Sequence, residues 1–173
     1  MKKSLNLSSV HLGDAMLSQE SGQVMNILIV TSWRSGSSFL GELLNQFPGT
    51  FYYFEPLHYY SKNMIQEEFL QTLFRCQFGD SNHGFLEHVR DRKNSFLLSH
   101  HNKRLWDSCK MFPEHMRLEA CFSEDYLNRV CPRFPQRLIK TVRLRVQKTR
   151  MLLENLPNTK ILVLVRDPRA VFR

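Results

Sequence analysis

The sequence predicts an α/β fold in which a central parallel sheet lies between helical layers. Three observations carry that expectation. Residues 27–30, 138–142 and 160–165 are short apolar runs rich in β-branched side chains, as in strands covered on both faces. Segments with helical spacing follow the first two runs. The first and third runs both end in turns that carry arginine and helix-capping residues.

Taken in order, residues 1–24 read as a flexible leader and residues 25–173 as one domain. The strand at 27–30 leads into Thr31-Ser32-Trp33-Arg34-Ser35-Gly36-Ser37-Ser38-Phe39, and Ser37 or Ser38 suits a helix cap. Phe39, Leu40, Leu43, Leu44 and Phe47 then form the apolar face of that helix. Residues 51–54 suit a short aromatic strand. It is closed by Glu55-Pro56, because proline steers Glu55 away from helix and ends the ladder. Helical period returns at 64–76, with a shorter helix expected at 85–92. The stretch from 94 to 135 has weak periodicity, and short helices are expected at 114–120 and 124–130. The strand at 138–142, a helix through Val146, Met151, Leu152 and Leu156, and the strand at 160–165 complete a strand–helix–strand unit. Asp167 and Pro168 suit the cap and first turn of a closing helix.

The net charge is +8, and it is unevenly placed. Residues 133–173 hold eleven Lys or Arg against Glu154 and Asp167, whereas the first 132 residues are nearly neutral. Such an excess suits a polyanionic ligand, or a solvated basic face. No run of 18 apolar residues is present, so no membrane span is expected within the chain. Residues 1–24 lack the apolar block of a signal peptide. Cys76, Cys109, Cys121 and Cys131 lack zinc-ligand spacing and allow three disulfide pairings or free thiols. His100 and His101 read as surface or pocket-wall residues, because no thiol or carboxylate partners accompany them.

The turn at 32–38 has the chemistry of a phosphate cradle. A helix start leaves backbone N–H groups without helical partners, and its dipole favours an anion. Gly36 allows close backbone approach, Arg34 adds a fixed charge, and serines add donors. The lysine and first glycine of a Walker A loop are missing. Arg166 and Arg169 stand at the end of another strand and offer a second anion site, unless they pair with Asp167 or Glu154. Ligands of open α/β sheets sit beyond the carboxyl ends of the strands, so one nucleotide with two phosphates would bridge both sites. The same rule places Glu55 beside the turn.

The segments 31–39 and Leu164-Val165-Arg166-Asp167-Pro168-Arg169-Ala170-Val171-Phe172-Arg173, with Phe54-Glu55-Pro56 between them, resemble the donor-binding motifs of Golgi carbohydrate 6-O-sulfotransferases. The resemblance runs from about residue 25 to the last residue. It implies the sulfotransferase fold, a P-loop-like three-layer sandwich incomplete at both ends relative to the family. It implies 3′-phosphoadenosine 5′-phosphosulfate as donor, no metal, a glycan acceptor and no nucleic-acid partner. It also implies a Golgi location, although no anchor is visible in the chain. Trp33, Arg34, Ser35, Gly36, Ser37, Ser38 and Phe39 would hold the 5′-phosphosulfate. Arg166, with Asp167, Pro168, Arg169, Ala170, Val171, Phe172 and Arg173, would hold the 3′-phosphate end. Glu55 is the expected base for the 6-hydroxyl of N-acetylglucosamine or galactose, with His58 as the alternative. Lys140 is expected to stabilise charge on the bridging oxygen. Two other readings fit the same residues: a P-loop-type small-molecule kinase with Asp167 on magnesium, and a non-catalytic nucleotide- or polyanion-binding fragment.

Overall fold

The computed structural model describes residues 24–59, 65–79, 83–91, 98 and 100–171. All but the last residue of the expected leader, together with Phe172 and Arg173, lies outside this set; of Val171 only the backbone is described. Four strands form one wholly parallel sheet: β1 (Met25–Thr31), β2 (Thr50–Phe54), β3 (Gln136–Thr141) and β4 (Thr159–Leu164). Their order is β2-β3-β1-β4, so the first strand in the chain is central. Ile27 is in register with Leu138 on one side and Lys160 on the other. That central place explains the continuous apolar run: Leu28 and Ile29 have no exposure.

Successive strand residues face opposite sides, so β1, β2 and β3 each feed two cores. Leu28, Val30, Phe51, Tyr53 and Ile139 join a large core. Its helical residues come from α2 (Gln66–Phe74), α3 (His83–Arg90), α4 (Lys103–Ser108), α5 (Glu114–Cys121), α6 (Glu124–Val130) and α7 (Thr149–Asn155). Ile27, Ile29, Tyr52 and Leu138 face the other way and meet Leu40 and Leu44 of α1 (Ser37–Asn45). The three layers are therefore lopsided, with many short helices on one face and one helix on the other. A short α8 (Pro168–Val171) follows β4.

Several local expectations are corrected. α1 begins after Gly36, which occupies the cap in the left-handed region at φ 91°, and no side chain caps the helix. A left-handed cap needs no Cβ, which is why glycine rather than serine stands there. Phe39, Leu43 and Phe47 lie on the outer side of the α1 segment and are more than half exposed. β4 was expected to be buried on both faces, but among the described residues it is an edge strand, with Val163 and, just past its end, Val165 exposed. Its apolarity does not reveal its position, because cover depends on neighbours elsewhere in the chain. Asp167 does cap α8, accepting from the Arg169 N–H at 2.9 Å. The short helices expected near 114 and 124 are present as α5 and α6; α4 has too short a period to be seen in the sequence.

The cysteines pair as Cys76–Cys131 and Cys109–Cys121. The first ties the end of α2 to the turn that precedes β3. Tyr53 Oη lies 3.1 Å from Cys131 Sγ and donates to the Leu73 carbonyl at 2.9 Å, so β2 is joined to the same anchor.

Candidate functional site

Parallel pairing brings every strand end to one edge of the sheet. Thr31 is in register with Leu164, and its hydroxyl donates to the Leu164 carbonyl at 2.7 Å. The same hydroxyl lies 2.6 Å from Ser35 Oγ, which pins the turn after β1. Arg34 at φ 62° and Gly36 at φ 91° fold that turn back on itself. The first helical bond of α1 runs from the Leu40 N–H to the Gly36 carbonyl. The N–H groups of Ser37, Ser38 and Phe39 therefore precede the ladder and remain for an anion.

The two arginine-bearing turns meet. Arg166 donates from Nη1 to the Arg34 carbonyl at 2.9 Å, across 132 residues of sequence. They border one cavity of about 580 Å³, lined by residues 33–38, Phe54, Glu55, His58, Lys140, Val142, Arg143 and Arg166. Arg34, Lys140, Arg143 and Arg166 face a single carboxylate there, so the cavity is strongly cationic.

That carboxylate is Glu55. It follows β2 directly and adopts φ 49°, a costly conformation for a residue with a side chain. Its N–H donates to the Lys140 carbonyl at 2.9 Å and its own carbonyl accepts from His58 at 2.8 Å. The side chain is thereby turned toward β3, where Lys140 Nζ donates to Oε1 at 2.6 Å. Oε2 accepts from the Val142 N–H at 3.3 Å and from Arg143 Nη1 at 3.2 Å. Lys140 shares the strand face of Leu138, two residues before it, and so emerges on the α1 side of the sheet. Its ammonium also lies 4.6 Å from the Phe54 ring centroid.

Arg143, which the sequence offers as a contact for the donor or an anionic acceptor, also enters the site. It stands three residues beyond Lys140, and its guanidinium carbon lies 5.1 Å from the Trp33 ring centroid while Nη1 holds Glu55. The basic run after the strand was visible in the sequence; its bridge between two distant turns was not. His101 packs nearby, stacked on Phe54 at 4.3 Å and bonded to Glu42. Burial lowers its pKa, an effect that the Glu42 carboxylate opposes.

Not every expected residue lines the cavity. Phe39 points outward from the first turn of α1 and is largely exposed. Asp167, Pro168, Arg169 and Ala170 lie beyond the lining. Arg169 pairs with Asp167 at 2.6 Å, and this bond holds the Asp167 carboxyl below its usual range. No cluster of three His, Cys, Asp or Glu suited to a metal occurs among the described residues. No helix among them is long and apolar enough to cross a membrane.

Residues 26–173 match the model of the sulfotransferase family. The chain is 31% identical to mouse carbohydrate sulfotransferase 4, covering 90% of the chain and 45% of that protein. It is 30% identical to mouse carbohydrate sulfotransferase 7, covering 96% of the chain and 40% of the relative. It is 29% identical to human carbohydrate sulfotransferase 6, covering 86% and 43% respectively. The chain thus spans less than half the length of these relatives. No solved structure gives a significant match. With the two arginine-bearing turns on one cavity and this match over nearly the whole described sheet, the chain belongs to the sulfotransferase family, in its carbohydrate sulfotransferase group.

Proposed function

We propose that residues 25–173 bind 3′-phosphoadenosine 5′-phosphosulfate and take part in moving its sulfuryl group to a sugar hydroxyl. The acceptor in this reading is the 6-hydroxyl of N-acetylglucosamine or galactose in a glycan. The observation that carries it is the bond from Arg166 to the Arg34 carbonyl, which puts both arginine-bearing turns on one rim. The N-terminus of α1, with Arg34 and Ser35–Ser38 around it, receives the phosphosulfate. Arg166, on the same rim, receives the 3′-phosphate end of the nucleotide.

Transfer joins the acceptor oxygen to sulfur while the bond from sulfur to the 5′-phosphate oxygen breaks. Such reactions have a loose transition state, so positioning and charge do most of the catalysis. Lys140 neutralises charge on the departing phosphate, and the Glu55 carboxylate takes the hydroxyl proton. The two disulfides suit an oxidising lumen and support a Golgi setting. A second reading, nucleotide binding without transfer, draws on Glu55, whose two oxygens are both engaged by cations. The kinase reading has less support, because its carboxylate, Asp167, is engaged by Arg169 and lies outside the cavity lining.

Labelled donor, glycan acceptors and calorimetry separate these readings. Arg34→Ala is expected to weaken binding of 3′-phosphoadenosine 5′-phosphate by at least about tenfold. Glu55→Gln is expected to bind the nucleotide no more weakly than the wild type and to lose transfer by ~10²–10⁴-fold. Undiminished transfer in Glu55→Gln removes Glu55 from the mechanism. Tight nucleotide binding with no transfer to any sugar selects the second reading.

A further inference from the structure

Glu55 is the one carboxylate among the described residues lining the cavity, and its two oxygens are held unequally. Oε2 is fixed twice, by the Val142 N–H and by Arg143, which itself lies over the Trp33 ring. Among the described residues, Oε1 is held by Lys140 alone. Both members of that pair are deeply buried, their side chains 5% and 9% exposed. A buried ammonium with one anionic partner is strongly committed to it, because removing either charge strands the other. Yet Lys140 also lines the cavity whose remaining cations await a multiply charged anion.

We propose that Glu55 is a built-in competitor for the anion. Its carboxylate claims the Lys140 ammonium that an incoming phosphosulfate or bisphosphate also needs, so the ligand binds by displacing Oε1 from Lys140. This inference rests on the donor reading above. Two anions brought to one ammonium in a poorly hydrated site repel each other, so the ligand's gain is reduced by the contact it breaks. Arg143 and the Val142 N–H keep Oε2 in place during the exchange, so the carboxylate stays at the site while Oε1 turns free. The consequence is an order of events. Oε1 becomes able to accept a hydroxyl proton only after the donor has taken Lys140, so activation of the acceptor waits for the donor.

The test is calorimetry of 3′-phosphoadenosine 5′-phosphate binding to the 173-residue chain, its Glu55→Gln and Lys140→Met variants, and the double variant. Glu55→Gln is expected to tighten binding by about tenfold or more, since one charge-assisted contact no longer has to be broken. Lys140→Met is expected to weaken binding, and in that background Glu55→Gln is expected to tighten it by less than about threefold. Wild-type binding that Glu55→Gln leaves unchanged or weakens overturns the competition and leaves the donor reading standing. Equal tightening in both backgrounds also overturns it, because the effect is then general charge removal. Absence of binding by the wild type and every variant overturns both. Near-ultraviolet circular dichroism checks that each variant is folded. Should Glu55→Gln fail to fold, Glu55→Asp withdraws the carboxylate from Lys140 by one methylene. Competition then predicts severalfold tighter binding, whereas a supporting role predicts no change or weaker binding.

Discussion

Gly41 shows how much one residue decides on the thin side of the sheet. A Cβ at Gly41 would stand 2.1 Å from Tyr52 Oη, so α1 lies on the sheet only because that position has no side chain. The Tyr52 hydroxyl beneath it is buried without a hydrogen-bond partner among the described residues, and burial, with Glu42 and Glu55 nearby, raises its pKa. Gly41→Ala is therefore expected to destabilise the chain by about 1–3 kcal/mol in chemical denaturation, despite the better helix propensity of alanine. Tyr52→Phe removes the nearest obstructing atom but leaves ring Cζ 2.9 Å away, so the double variant should recover part of that loss. A double variant as unstable as Gly41→Ala would place the cost elsewhere. Nothing in the sequence pairs Gly41 with Tyr52; only the β2–β3–β1 register puts the ring under the helix. Glu55 was legible as a strand-end carboxylate near the turn, but its clasp by Lys140 and Arg143 spans 85 and 88 residues.

At the scale of elements, the strands were legible because apolar β-branched runs have few other uses, and the cap at Asp167 was legible because capping is local. Two features resisted reading. The cap of α1 fell to Gly36 because the turn needs a left-handed residue there, and β4 took an edge. The disulfides also bind elements rather than single residues. Cys76–Cys131 closes 55 residues and Cys109–Cys121 closes 12, which loop-closure entropy values at about 4 and 3 kcal/mol. Thermal melts are expected to fall on reduction. Cys76→Ser should cost more than Cys109→Ser, because its bridge also anchors α2 and Tyr53 to the sheet. An unchanged melting temperature under reductant would mean that the bridges carry no stability.

The whole molecule concentrates charge as well as structure. Strands β3 and β4 and the loops after them supply Lys140, Arg143 and Arg166 to a cavity whose other wall, the turn after β1, adds Arg34. The near-neutral first 132 residues build most of the large core, and the basic remainder supplies three of the cavity's four cations. Affinity for the bisphosphorylated nucleotide is therefore expected to fall severalfold between low salt and about 0.5 M salt, read by calorimetry. Salt-independent binding would locate the nucleotide away from this basic cavity.

By itself the sequence determined that the chain forms parallel strands that end in turns carrying arginine and helix-start residues. Those are local consequences of periodicity, capping and charge. Tertiary structure decided which turns share a rim, that Lys140 and Arg143 both hold Glu55, and that β4 lies at an edge. These depend on strand order, which is a choice among distant segments that no short stretch of residues encodes.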